Sequence, residues 1–238
     1  ALLLEAHMAL GLTYYFLGQP GDALQHMELA LAADSEHRDR SFTFVSGQDA
    51  GVCNLAFMGL TLWMLGRPEE ALNRSREAVA LARSLKHPFS LASALNFASW
   101  LRFMLGQPDR AAILAEEEVT IAEQQGFFWV TLGSIIVGWS QAQGEEIGAG
   151  LEKIRNGLAA YRGPGARLSE TLQLAITAEI ALKHGNAPAA QACIDEALAA
   201  AEQTSECFWL AELHRIHGDI RVHLEADDAG QHYQTALA

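Results

Sequence analysis

Histidine is the residue type that first invites a chemical reading of this 238-residue chain, which holds nine of them. His214 and His217 stand three apart on one predicted helix and so share a face, with His223 further along and Glu212 and Asp219 close by. Imidazoles with carboxylates are what a transition metal takes. The spacing nevertheless lacks an H-E-x-x-H or a matching E-x-x-H pair, so a polar helix face with interhelix hydrogen bonds is the stronger reading. Other chemistry is equally thin. No G-x-x-x-x-G-K-[ST] or strand-linked G-x-G-x-x-G is present, and Gly148-Ala149-Gly150 belongs to a helix start. No G-x-S-x-G elbow occurs. Glu116-Glu117-Glu118 reads as a solvated face rather than a catalytic pair. Cys53, Cys193 and Cys207 form no C-x-x-C, which fits reduced thiols in a cytoplasm; Cys207 alone falls near a predicted helix start. No catalytic residue, cofactor or metal is assigned.

The elements that would position any site follow from composition and periodicity. Half the residues are hydrophobic and 19% are charged, enough apolar material for a packed core. Sixteen Lys and Arg against 29 Asp and Glu leave a net charge of −13, a poor basis for nucleic-acid binding. The uncharged stretch from Gly126 to Gly144 contains Thr131, Ser134 and Gln141 and is flanked by Glu123 and Glu145, so a buried helix is expected there and not a membrane span. Glu5 and His7 close to the start, with no basic run, argue against a secretory leader. A chain opening on Ala1 and closing within an apolar pattern at Ala238 reads as a piece of something longer.

A repeat organises everything else. Leu17-Gly18-Gln19-Pro20 aligns with Leu65-Gly66-Arg67-Pro68 and Leu105-Gly106-Gln107-Pro108, and more weakly with Gln143-Gly144-Glu145-Glu146 and His184-Gly185-Asn186-Ala187-Pro188. Successive turn glycines lie 48, 40, 38 and 41 residues apart, a period typical of stacked helical arrays. Glycine ends one helix in the left-handed conformation, and proline opens the next where its missing N–H costs nothing. Asp22, Glu69, Glu70 and Asp109 then sit at the positive helix starts. Seven residues before each glycine stands Gly11, Gly59, Ser99, Val137 (beside Gly138) or Ala178; five after it stands Ala23, Ala71, Ala111, Ala149 or Ala190. A sixth copy runs from Gly218 to Ala229 and Ala236, with a link one residue shorter.

This spacing of small residues, twelve apart from Gly11 to Ala23, Gly59 to Ala71, Ser99 to Ala111 and Ala178 to Ala190, resembles the tetratricopeptide repeat in a lengthened form. The expected fold is all-α: one right-handed α–α superhelix of about six hairpins, with repeats at about 1–33, 49–86, 88–125, 128–161, 166–203 and 207–238. The polar link from Asp34 to Gln48, with Phe42 and Phe44, and the Arg162-Gly163-Pro164-Gly165 break interrupt the array without ending it.

In such an array the first helices line the concave side. Their polar candidates there are Glu5, Asn54, Ser93, Asn96, Glu212 and Arg215, with Arg215 and Glu212 also readable as a simple ion pair. Phe89, Phe128 and Phe208 each precede a small packing residue by ten, and Phe128-Trp129 and Phe208-Trp209 recur as a pair. Periodic aromatics suit inter-repeat packing; the alternative is that some line a groove as anchors. The candidate contact surface is therefore Ser93, Asn96, Phe128, Trp129, Trp209, Glu212 and Arg215.

Two longer stretches, Gly47–Cys53 running on to Leu62–Gly66 and Phe208–Gly218, together with His87–Ala92, resemble the C-terminal repeat region of large bacterial proteins. Those proteins join a class III adenylate/guanylate cyclase domain, or a DNA-binding domain, to a signalling ATPase and then to helical repeats. The resemblance implies a non-catalytic sensor or scaffold region in the cytoplasm. Its partner would be a protein or peptide, the parent's own ATPase domain or a small-molecule effector. Self-association through the uncapped end near Ala238 is a further expectation. Two alternatives are the sensor arm of an ATPase-type transcription regulator and a helical-repeat enzyme with a groove active site.

Overall fold

The computed structural model describes residues 2–36, 47–128 and 130–237. Most of the Asp34–Gln48 link, with Phe42 and Phe44, lies outside the described residues, as does Trp129. Twelve α-helices and no strand occur among the described residues, arranged as six consecutive hairpins. The hairpins are α1 (Leu2–Phe16) with α2 (Pro20–Glu36), α3 (Ala50–Met64) with α4 (Pro68–Leu85), α5 (Pro88–Met104) with α6 (Pro108–Gln125), α7 (Val130–Gln141) with α8 (Ile147–Arg162), α9 (Glu170–Lys183) with α10 (Ala187–Thr204), and α11 (Leu210–His223) with α12 (Ala229–Leu237).

The turns behave as their residues dictate. Gly18, Gly66, Gly106 and Gly185 are left-handed, with φ between 64° and 75°. The N–H of each following residue returns to a carbonyl five back: Gln19 to Tyr14, Arg67 to Leu62, Gln107 to Arg102 and Asn186 to Ala181, all at 2.9 Å. The sixth turn makes the same bond, Ala226 to Arg221 at 3.0 Å, but with Glu225 in the left-handed position (φ 53°). The fourth departs from expectation, since Gly144 is not left-handed and Gln143 and Gly144 make only short-range bonds to Ser140 and Gln141.

Helix pairing rests on close backbone approach. A Cβ on Gly59 would stand 3.1 Å from the Ala71 carbonyl, and one on Gly11 would meet Met27 and the Ala23 carbonyl. In the fourth hairpin the contact falls on Gly138 and Gly150, one residue on from Val137 and Ala149, with each glycine abutting the other's carbonyl. The altered fourth turn accompanies this shift of register. Gly218 meets the Tyr233 ring fifteen residues on, where Gly11, Gly59 and Gly138 meet Met27, Ser75 and Ile154 sixteen on, as a shorter sixth link requires.

The fifth hairpin begins later than 166. Gly165 and Ser169 both take positive φ, and the segment is tied down before α9 opens at Glu170. Buried Glu206 accepts from the Ser169 N–H and the Thr171 hydroxyl, and buried Glu170 is held by Arg162 and Arg167.

The two helix sets bury themselves differently. In α4 the buried residues are Ala71, Ser75, Ala78 and Ala82, a single stripe three to four apart. In α3 every residue from Ala50 to Leu62 is buried, and α5 is buried from Ala92 to Leu101. A helix buried all round is enclosed by other helices. First helices therefore form the interior and second helices the outer wall.

The expectation of an open groove lined by first helices is corrected here, because the array closes on itself. The Cys207 N–H donates to the Phe16 carbonyl at 2.8 Å, joining the last hairpin to the first. Phe208 sits between Tyr15 and Phe16, with ring centroids 5.2 and 5.5 Å away, and Trp209 lies 5.8 Å from Trp63 and 6.1 Å from Phe103. The segment 207–209 thus fills the space where a groove was expected, and one contiguous core runs from Tyr15 to Ile220. Burying the Phe208 and Trp209 rings, which would otherwise meet water, favours this closure, each worth about 1.5–3 kcal/mol.

Candidate functional site

The sequence candidates separate cleanly. Asn96 is 0% exposed and neither of its amide atoms has a hydrogen-bond partner among the described residues. Ser93 is also buried and reaches Gln48 at 3.4 Å. Neither is open to a partner, so their placement on a binding surface is corrected: they lie on the stretch of α5 from Ala92 to Leu101 that is buried all round. Phe128 is 42% exposed and lies against Tyr161, ring centroids 5.2 Å apart, away from the others. Trp129 lies outside the described residues.

Trp209, Glu212 and Arg215, in contrast, line one pocket of about 450 Å³ at the seam between the second and sixth hairpins. Trp63 and Met64, from the end of α3, form one side, and Tyr233 of α12 closes the other. Trp209 and Trp63 are stacked with planes 24° apart, giving an aromatic floor. Trp209 is only 6% exposed, and its indole N–H is buried without a hydrogen-bond partner among the described residues. An unmade bond of this kind costs about 1–3 kcal/mol.

The rim is charged and internally paired. Arg215 Nε donates to Glu212 Oε2 at 2.8 Å, a second guanidinium nitrogen donates to Glu212 Oε1, and Nη1 reaches Asp219 Oδ2 at 2.6 Å. These bonds, the Glu212 bond foremost, raise the Arg215 pKa. The Tyr233 hydroxyl donates to Asp219 Oδ1 at 2.6 Å, which pushes its own pKa up. Glu179 of α9 also feels this cluster: burial raises its pKa, and Arg215 partly offsets the rise. Three carboxylates thus surround one arginine, three of whose five N–H donors are engaged.

The histidines assemble in part. His214 and His217 of α11 face His232 of α12, with ring centroids 6.3 and 3.8 Å away. The His214 and His232 rings are stacked, with planes 20° apart, and the His217 and His232 rings are tilted by 33°; among the described residues no group of three or more His, Cys, Asp or Glu side chains could hold a metal ion. His223 turns instead to the Asp219 carbonyl at 3.0 Å.

Sequence reasoning found Trp209, Glu212 and Arg215 but missed Met64 and Tyr233, and it noted Trp63 only as a helix-end aromatic. No local signal marks them, because the seam joins residues about 150 positions apart.

This architecture is a tetratricopeptide-like α-solenoid. Residues 52–124, spanning most of hairpins two and three, match the family model described as tetratricopeptide repeat. An uncharacterised protein of Rhizobium meliloti (strain 1021) is 26% identical over 207 residues, covering 86% of this chain and 20% of its own length. The chain therefore spans about a fifth of the curated relative it matches. Among solved structures, a Rap protein complexed with Competence and Sporulation Factor superimposes with a TM-score of 0.74 at 16% identity, covering 98% of this chain and 63% of that one. The apo form of RapI gives 0.61 at 11% identity, covering 98% of this chain and 81% of that one. Nearly identical TPR-like repeats from a Podosopora anserina kinesin light chain give 0.54 at 16% identity, covering 84% and 95%. At these identities the likeness is one of fold. No described helix is long and apolar enough to cross a membrane.

Proposed function

We propose that the chain is a non-catalytic scaffold that captures a protein or peptide segment at the Trp63–Trp209 pocket. The observation that carries this reading is the stacked indole floor in an apolar pocket edged by the Glu212–Arg215 pair. An apolar or aromatic side chain would enter against the indoles, where buried aromatic contacts concentrate binding energy. A basic flanking residue would meet the side of the pocket at Glu212, where Asp219 and Glu179 leave the Arg215 cluster with more carboxylates than cations. The net charge of −13 favours the same kind of partner over long range. The pairing of the rim groups with one another, rather than toward open space, is what makes a catalytic role the weaker reading. The structure of a Rap protein complexed with Competence and Sporulation Factor adds support, since a protein of this fold forms a complex with such a factor.

In the finer reading, this region belongs to a bacterial cyclase–ATPase signalling protein and biases the neighbouring ATPase when the pocket fills. The resemblance of Phe208–Gly218 and Gly47–Gly66 to such proteins supports it, as does a curated relative roughly four times as long. Selection of a displayed peptide library on the full chain tests the pocket. Convergence on sequences with an apolar anchor beside Lys or Arg, with binding that changes tryptophan fluorescence and is lost in Glu212→Lys, is the expected result. Selected binders indifferent to Glu212→Lys and to Trp63→Ala would defeat the proposal.

A further inference from the structure

The arginines of this acidic chain are not evenly placed. Arg76 and Arg83 of α4 and Arg102 of α5 line a second pocket of about 250 Å³, in the furrow between α4 and α6. Val79, Ala98 and Leu114 supply its apolar wall. It shares no residue with the Trp63–Trp209 pocket and stands independently of the function proposed there.

The state of these cations sets them apart. Arg67, which caps the start of α4, and Arg74 within it pair with Glu70 and Glu77. Arg76 instead donates to the Asn73 side-chain oxygen at 2.7 Å and to the Leu72 carbonyl at 3.2 Å, and Arg102 donates to Gln107 Oε1 at 2.7 Å. Neither makes an ion pair among the described residues. Burial, and then the charges of Arg110 and Arg76, lower the Arg102 pKa. A guanidinium stays protonated under any such pressure, so like charges are held together without a counter-ion. The carboxylate that reaches the rim is Glu117, bound to Arg83 at 2.8 Å across the furrow. Guanidinium forks match carboxylate and phosphate oxygens in pairs, and the neighbouring wall offers apolar contact to whatever carries them.

We infer that this furrow is an oxyanion-binding site, taking a phosphate- or carboxylate-bearing ligand through Arg76, Arg83 and Arg102 and resting its apolar part on Val79, Ala98 and Leu114. Glu117 acts as an internal competitor for Arg83.

Calorimetric titration of the full chain with phenyl phosphate, benzoate and phenol tests this. At least one anion binds saturably, and phenol does not. Arg76→Gln and Arg102→Gln each weaken binding roughly ten-fold, as loss of a charge-assisted contact demands. Glu117→Gln tightens it, because Arg83 is released. Preference for phenyl phosphate marks a phosphate ester as the source of the anion, and preference for benzoate marks a carboxylate. Thermal melts accompany each variant, and exposed Arg76 provides a substitution that leaves the core untouched. Absence of saturable binding by both anions, or binding indifferent to all three substitutions, overturns the inference.

Discussion

Gly150→Ala probes helix pairing at its tightest point. A Cβ there would stand 2.5 Å from the Gly138 carbonyl and 2.8 Å from the Ala142 backbone nitrogen. Both obstacles are backbone, so no side-chain rotation relieves them and α7 must move away from α8. Overpacking of this kind costs up to about 3 kcal/mol. Exchanging a helical glycine for alanine returns about 1 kcal/mol. The net loss of about 2 kcal/mol lowers Tm by about 4–8 °C for a chain of this size. Gly148→Ala, two residues earlier in α8, is the control: nothing lies within 4 Å of its Cβ, and only the propensity gain remains. Thermal melts followed by circular dichroism should therefore move in opposite directions for the two variants. A Gly150→Ala melt at or above that of Gly148→Ala would refute the claim that glycine pairs set the hairpin spacing.

Two predictions concern pH. Glu118 is fully buried with neither carboxylate oxygen in a well-formed hydrogen bond, and burial raises its pKa well above 4.5, opposed only by the Gly133 amide. The folded state thus favours the protonated acid, so its stability contribution is full below pH 4.5 and is lost as pH rises through the folded pKa. Glu118→Gln should flatten that decline and exceed the parent by about 1–3 kcal/mol at alkaline pH in urea unfolding; a variant less stable than the parent there would contradict the reasoning. His214 and His217 have pKa values lowered by burial first and then by His232, with Asp195 opposing the shift at His217. Their neutral forms are favoured in the fold, so stability present above pH 6.5 is lost as pH falls below it. Hydrogen-exchange protection factors in α12, which buries no residue completely, should fall from about pH 7.5 to about pH 5.5 once the intrinsic pH dependence of exchange is divided out. His232→Gln should suppress that fall, and an equal loss of protection in the variant would show that imidazole repulsion is not its cause.

The hairpins were readable because their signals are local. Gly-x-Pro turns and small residues twelve apart act within one repeat, and the helices begin at Pro20, Pro68, Pro88 and Pro108 as those residues require. The fourth hairpin was misregistered by one residue because Val137 and Gly138 are adjacent and its turn lacks the left-handed glycine that anchors the alignment. Closure was not readable at all. The meeting of Phe16 with Cys207 spans nearly the whole chain and has no local pattern, so Ser93 and Asn96 looked like polar marks on a groove when they are enclosed. Glu212 and Arg215 stood out as polar residues on a first helix, and Trp209 because the Phe-Trp pair recurs at 128 and 208. Tyr233 did not, because the sixth repeat was read through its alanines.

The closed interior is the claim on which the rest depends, since it removes the groove and leaves the Trp63–Trp209 seam as the candidate site. Spin labels on exposed Cys207 and on Gln19→Cys, with Cys53 and Cys193 replaced by serine and alanine as needed, give the distance between the first and last hairpins directly by pulsed electron resonance. The account predicts a single short, narrow distance, set by the Cys207 N–H bond to the Phe16 carbonyl. A long or broad distribution would show an open superhelix and contradict it.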